Sequence, residues 1–256
     1  QSLMEALSIA ENPDFEKNAW VFNNYSSITP MKYRLDILRI THHMYALLMN
    51  RTKNTEQEIF HYKEEIRISE KIGKQAGLQL AYMNLGDTYL RLNKLDTALD
   101  YSKKAASLAE KSGFKYYHGW TLGTLADIYL KKDEDGLARQ YYYTGIQNSK
   151  EQKNLGSLVW NYDKITRYYL SKNKVDSSLY YAKKEFESVK SLGATSNVKA
   201  YLADAYENLY AAYKLKNKFD SAYKYQGLTV VTKETVHKDE IKNLAEFQKL
   251  IFSEQL

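Results

Sequence analysis

Four tyrosines, Tyr89, Tyr129, Tyr169 and Tyr213, open four similar stretches: YLRLNKLDTALDYSKKA, YLKKDEDGLARQYYYTG, YLSKNKVDSSLYYAKKE and YKLKNKFDSAYKYQGLT. The steps between them are 40, 40 and 44 residues. A fixed period of a few tens of residues marks a chain built by stacking one supersecondary unit, whose core grows linearly instead of closing into a globule. It also moves the search for function from a pocket to a surface.

Each unit reads as a pair of helices. Tyr82, Leu85, Gly86 and Tyr89 fall at i, i+3, i+4 and i+7, the spacing of one buried helical stripe. The stripe recurs as Leu122, Leu125, Ala126, Tyr129, then Tyr162, Ile165, Thr166, Tyr169, then Tyr206, Leu209, Tyr210, Tyr213. Asn93, Asp133, Asn173 and Asn217 follow at the place where the backbone must turn left-handed, which Asn and Asp tolerate better than other residues except Gly. Asp96, Asp176 and Asp220, with Gly136 and its neighbour Asp135 in the remaining unit, are placed to cap a second helix. Ala98, Ala138, Ser178 and Ala222 let that helix approach the first, and Gly73, Gly113, Gly156 and Gly193 are candidate stops. With 2 Pro and 11 Gly in 256 residues and 44% hydrophobic residues, the composition excludes disorder and a β-rich fold that needs many tight turns.

Leu85-Gly86 with Tyr82 and Tyr89, then Ala98, Tyr101 and Ala105, resemble the tetratricopeptide repeat. The resemblance implies an all-α, right-handed superhelical solenoid of antiparallel helix pairs, closed by a long C-terminal helix. Family repeats usually span 34 residues, so steps of 40 and 44 imply helices about a turn longer each. The expected hairpins are 31–73, 78–113, 118–156, 157–193 and 198–233. Residues 1–30, with a short helix over 2–11, form an N-terminal cap or an eroded repeat, and 234–256 form a capping or connecting helix. In the first hairpin Tyr45 and Ile59 would play the parts of Tyr89 and Ala98, which requires a turn about five residues longer through Arg51-Thr52-Lys53-Asn54.

Catalytic chemistry finds no footing in the chain. His42, His43, His61, His118 and His237 come without an HExxH motif or a carboxylate cluster, so no metal site is expected. No phosphate loop, GxSxG or kinase signature occurs, and acidic pairs such as Asp133/Asp135 belong to turn chemistry. The expectation is a segment that is not an enzyme and takes no cofactor. Zero Cys excludes disulfides and thiolate zinc sites. The net charge of +6 is spread among interleaved acids, which argues for a solvated surface and against nucleic acid as a partner. No run approaches 18 apolar residues, so no membrane insertion by this segment is expected.

In tetratricopeptide arrays the first helices line a concave groove that holds peptides or partner segments. Carried over unit by unit, the inward positions are Leu80, Met83, Asp87 and Arg91; Trp120, Asp127 and Lys131; Trp160, Asp163 and Arg167; and Asp204, Glu207, Asn208 and Lys214. Trp120 and Trp160 fall one repeat apart, either as a binding wall, since aromatics and Arg dominate interfaces, or as core against a neighbouring repeat. The family's carboxylate clamp uses Lys and Asn where this chain has Met83 and Asp87, then Gly123 and Asp127. A mixed or basic protein or peptide ligand fits these residues better.

Ile241, Leu244, Phe247 and Ile251 form an apolar stripe in a tail without Gly or Pro after Gly227. The tail, KDEIKNLAEFQKLIFSEQL, resembles the stretch that follows tetratricopeptide repeats in bacterial membrane-bound sensors and leads to a histidine kinase. That resemblance implies an extracytoplasmic sensor region, with homodimerisation through the tail. A soluble cytoplasmic scaffold or regulator is the alternative, as is a sensor joined to a cyclase or helix-turn-helix output.

Overall fold

The structure is a computed structural model that describes residues 2–18, 29–193 and 198–253. Part of the expected cap (19–28) and the tail side chains Leu244, Phe247 and Ile251 lie outside the described residues. Among the described residues there are α-helices, one 3-10 helix at Pro13–Asn18, and no strand. The chain divides into two compact units, Gln1–Tyr117 and His118–Leu256. The first holds α1 (Ser2–Glu11), then the pairs α2 (Pro30–Arg51) with α3 (Thr55–Ile72) and α4 (Gln75–Arg91) with α5 (Leu95–Ser112). The second holds α6 (His118–Lys131) with α7 (Asp135–Glu151), α8 (Leu155–Ser171) with α9 (Val175–Lys190), and α10 (Val198–Leu215) with α11 (Phe219–Ser253).

The same turn closes every pair. Its middle residue, Lys53, Asn93, Asp133, Asn173 or Asn217, has φ between 53° and 61°. The amide of the next residue donates back to the carbonyl five residues earlier, as in Lys94 N to Tyr89 O at 2.9 Å, which satisfies a carbonyl the helix end leaves open. In four pairs that carbonyl belongs to the repeating tyrosine. Its ring is held as well: Tyr89 stacks on Tyr101, Tyr129 on Tyr141, Tyr169 on Tyr181 and Tyr213 on Tyr225, with centroids 5.3–5.6 Å apart and planes within 7°. Each stack adds roughly 0.5–1.5 kcal/mol beyond the area it buries. One residue type therefore fixes both the turn and the seam of a pair, which is why it keeps the period.

Between paired helices the small residues are needed. Ala98, Ala105, Ala109, Ala138, Ala182 and Ala222 are buried, and a Cβ on Gly86 would strike Ser102 Oγ.

Four expectations are corrected. The first hairpin has the same three-residue turn as the others, because Lys53 takes the left-handed place of Asn93. Met49 and Glu58 therefore occupy the places of Tyr89 and Ala98, and Tyr45 instead stacks on His61 at 5.0 Å. Gly156 is no stop: α7 ends at Glu151, Lys153 takes positive φ, and Asn154 caps α8 by accepting from Ser157 N. Asp96 and Asp176 lie inside the first turns of α5 and α9, whose capping places are Lys94 and Lys174, so they act on the helix dipole. The helical pattern that runs on past Asp220 in the sequence is one helix, the 35-residue α11.

Candidate binding face of the first helices

In the first unit the face of α2 and α4 is anchored by two buried carboxylates from α3. Glu58 Oε1 accepts from Asn50 Nδ2 (2.9 Å), Thr88 Oγ1 (2.7 Å) and Arg91 Nη2 (2.6 Å), while Arg91 Nε reaches Asp87 at 3.2 Å. Asp87 and Arg91, both expected on this face, are thereby tied to each other and to the hairpin below. Glu65, 0% exposed, accepts from Arg39 Nη1 at 3.3 Å and meets His43 Nδ1 at 2.9 Å. Met83 is half-buried, and Ile40, Met44 and Leu47 leave an exposed apolar strip on α2.

The second unit presents a chain of charges. Asp127 accepts from the Tyr142 hydroxyl at 2.5 Å and pairs with Lys164 at 2.7 Å. The Lys164 ammonium lies 4.4 Å from the Trp160 ring centroid, a cation–π contact. Arg167 Nε donates to Asp163 at 2.6 Å, and its Nη2 reaches Asp204 at 3.4 Å. Asn208 donates from Nδ2 to both Asp163 and Glu185 at 2.8 Å, and Lys233 of α11 pairs with Glu207 at 3.0 Å. Lys131 and Lys214 are exposed at the ends of α6 and α10. Asp127, Asp163, Arg167, Asp204, Glu207 and Asn208 are thus brought into one unit and cross-linked from α6 to α11.

Trp120 and Trp160 are both half-buried, and each leans on a glycine of the other's helix. A Cβ on Gly156 would meet Trp120 Cζ2 at 3.2 Å, and one on Gly123 would meet Trp160 Nε1 at 3.2 Å. The Trp160 Nε1 is buried without an acceptor among the described residues. The rings fill the seam between α6 and α8 as well as edging the face.

Sequence reasoning missed Glu58, Glu65 and Glu185. All three sit where the other pairs put small residues: Glu58 in the place of Ala98 and Ala138, Glu65 and Glu185 in the place of Ala105 and Gly145. The signal was a charged residue at a position that is otherwise tiny. Burial holds the Glu185 carboxyl well above the usual range, and the negative charge of Asp163 adds to this. Asp204 is raised for the same two reasons.

Residues 78–151, from α4 to the end of α7, match the tetratricopeptide repeat family. The crystal structure of BtubC (BKLC) from P. vanneervenii is similar to this chain, with 16% identity over 93% of each chain and a TM-score of 0.68. At that identity the likeness speaks for the helical-repeat fold. No curated protein matches the chain. Among the described residues no helix is long and apolar enough to cross a membrane.

Proposed function

We propose that these tetratricopeptide repeats form a non-catalytic domain that binds an extended segment of a partner protein along the first-helix face of the second unit. The observation that carries this reading is the cross-linked row from Asp127 to Glu207. It presents half-exposed carboxylates, a guanidinium and an indole edge from side chains already held in place, so little conformational entropy is lost on binding. A peptide array probed with labelled protein tests it. Binding should fall about tenfold or more when Trp120 and Trp160 are both replaced by Ala, since aromatic anchors dominate such interfaces. Equal binding by the folded variant removes the assignment.

The finer reading is the extracytoplasmic sensor region of a histidine kinase, with α11 as the element that passes occupancy to the output. The unbroken 35-residue α11 supports it, because one rigid helix that packs on α10 and continues past it can carry a displacement over a distance. Reading the parent gene beyond Leu256 decides the matter. An apolar segment of about 20 residues followed by a kinase supports the sensor, whereas a stop codon removes it.

A further inference from the structure

Glu65 and Glu185 occupy the same place in their hairpins, three repeats of 40 residues apart, and both are 0% exposed. What surrounds them differs. The residues of α2 that meet Glu65 are Arg39 and His43; the same places on α8 hold Val159 and Asp163. Glu185 therefore has no guanidinium at the place that Arg39 fills for its counterpart; Asp163 stands near it instead, and the Arg167 guanidinium acts on it without a hydrogen bond. Among the described residues its Oε2 accepts from the neutral amide of Asn208 alone, and its buried Oε1 meets no donor. Asp163, Asp204 and Arg167 act on it, and Glu207, paired with Lys233 at 3.0 Å, stands near Asp204 in turn. Four carboxylates thus share two cations.

We propose that this cluster is a subsite for a guanidinium group, an arginine side chain of the bound peptide, which sits against Asp204 and Glu207 with Asn208, Asp163 and Glu185 as its floor. The proposal rests on the reading of the first-helix face as a peptide-binding surface and names the chemistry of one residue in that peptide. Three observations on the chain itself select a guanidinium. Glu65 takes Arg39, Glu58 takes Arg91 and Glu16 takes Arg34 at 2.8 Å, so buried or half-buried carboxylates of this fold are repeatedly answered by arginine. A planar fork also suits two carboxylates on successive turns better than a point charge does. A metal ion is disfavoured, because no group of three His, Cys, Asp or Glu among the described residues is placed to hold one. The open side is accessible: the side chains of Asp204 and Glu207 are 47% and 41% exposed.

Burial raises Glu185 and Asp204, and arrival of a cation acts the other way, favouring their ionised forms.

The test uses N-acetyl-arginine amide as the probe and the Asn208 side-chain amide as the reporter, followed by nitrogen-15 NMR on the whole chain. The expected result is a saturable shift of the Asn208 amide that N-acetyl-citrulline amide, the neutral analogue, does not produce. Glu185→Gln and, on the exposed side, Asp204→Asn should each weaken the probe about tenfold, the scale of one charge-assisted hydrogen bond. An unmoved Asn208 signal, an equal response to citrulline, or undiminished binding in folded Asp204→Asn overturns the subsite. If array peptides still bind while Asn208 stays silent, the peptide-binding face stands and the arginine subsite alone falls.

Discussion

The first hairpin and the fourth answer the same problem, a buried glutamate in the tight seam of a helix pair, in opposite ways. Around Glu65 the first helix supplies Arg39 and His43, and the charge is neutralised inside the unit. Around Glu185 the matching places supply Val159 and Asp163, so Asp163 adds negative charge and, among the described residues, one oxygen meets no donor. Desolvation of a carboxylate is costly in either case. One unit offsets it with a permanent cation, and in the other burial and the charge of Asp163 hold the carboxyl well above the usual carboxylate range. A buried charge is thus structural or functional according to two residues one turn apart on the facing helix.

The largest test of this contrast is to remove Glu65. Glu65→Ala removes one of the two carboxylates on the Arg39 guanidinium, Asp36 remaining at 2.7 Å, and the partner of His43, and should cost about 1.5–3 kcal/mol, the scale of a lost hydrogen bond to a charged group. Urea unfolding of the full chain measures it. Glu185→Gln, which strands no opposite charge, should cost nothing comparable, and a loss of similar size would erase the distinction between the hairpins.

Acid gives the next largest effect and again acts on the first unit. His42 and His61 face each other with Nδ1 atoms 2.9 Å apart, so the contact holds one hydrogen and a second proton sets two donors against each other. Burial and then the His61 charge lower His42 to about 4, with Arg67 adding to this and Glu64 opposing it; burial also lowers His61. A folded pKa below the unfolded value of 6.5 means that the unfolded chain binds more protons. The stability is complete above about 6.5 and is lost as pH falls toward 4. The melting temperature should drop by several degrees over that window, and His42→Asn should flatten the dependence. An unchanged slope in that variant would assign the acid sensitivity to other groups.

Glu185 has the reverse sign. Its folded pKa lies above the ordinary glutamate value of 4.5, so the folded state holds the proton more tightly and its contribution is fullest at low pH. That contribution is lost as pH rises from about 4.5 through the folded value. Glu185→Gln should therefore melt above the parent at pH 8, with the difference shrinking toward pH 4. A variant less stable at pH 8 would mean that the ionised carboxylate is already paired.

How much of this was legible in the residues differs by level. The hairpins and their left-handed turns were, because Asn93, Asp133, Asn173 and Asn217 announce themselves by residue type and the tyrosines by spacing. The first hairpin was misread by register because Lys53 does the work of Asn93 and Glu58 that of Ala98, so both residue-type signals were missing. That Asp127, Asp163, Arg167, Asp204 and Glu207 lie on the first helices was legible because a face of helices repeats in sequence. Glu185 was missed because its meaning lies in Val159 and Asp163, contacts that a one-dimensional period does not display. Trp120 and Trp160 were seen as equivalent, yet their crossing against Gly156 and Gly123 depends on how α6 meets α8.

The smallest effect should come from Lys164, one of the cations that the second unit spends on its own face. Lys164 pairs with Asp127 and covers Trp160, with side chains 22% and 17% exposed in the pair. Lys164→Met keeps most of the aliphatic cover over the indole and leaves Asp127 the Tyr142 hydroxyl. The loss should be about 1 kcal/mol or less, as for a partly solvated pair with one cation–π contact. Urea unfolding beside Glu65→Ala gives the comparison directly. A Lys164→Met penalty as large as that of Glu65→Ala would make the row of charges in the second unit a structural strut, with no cation to spare and little reason to seek one from a ligand.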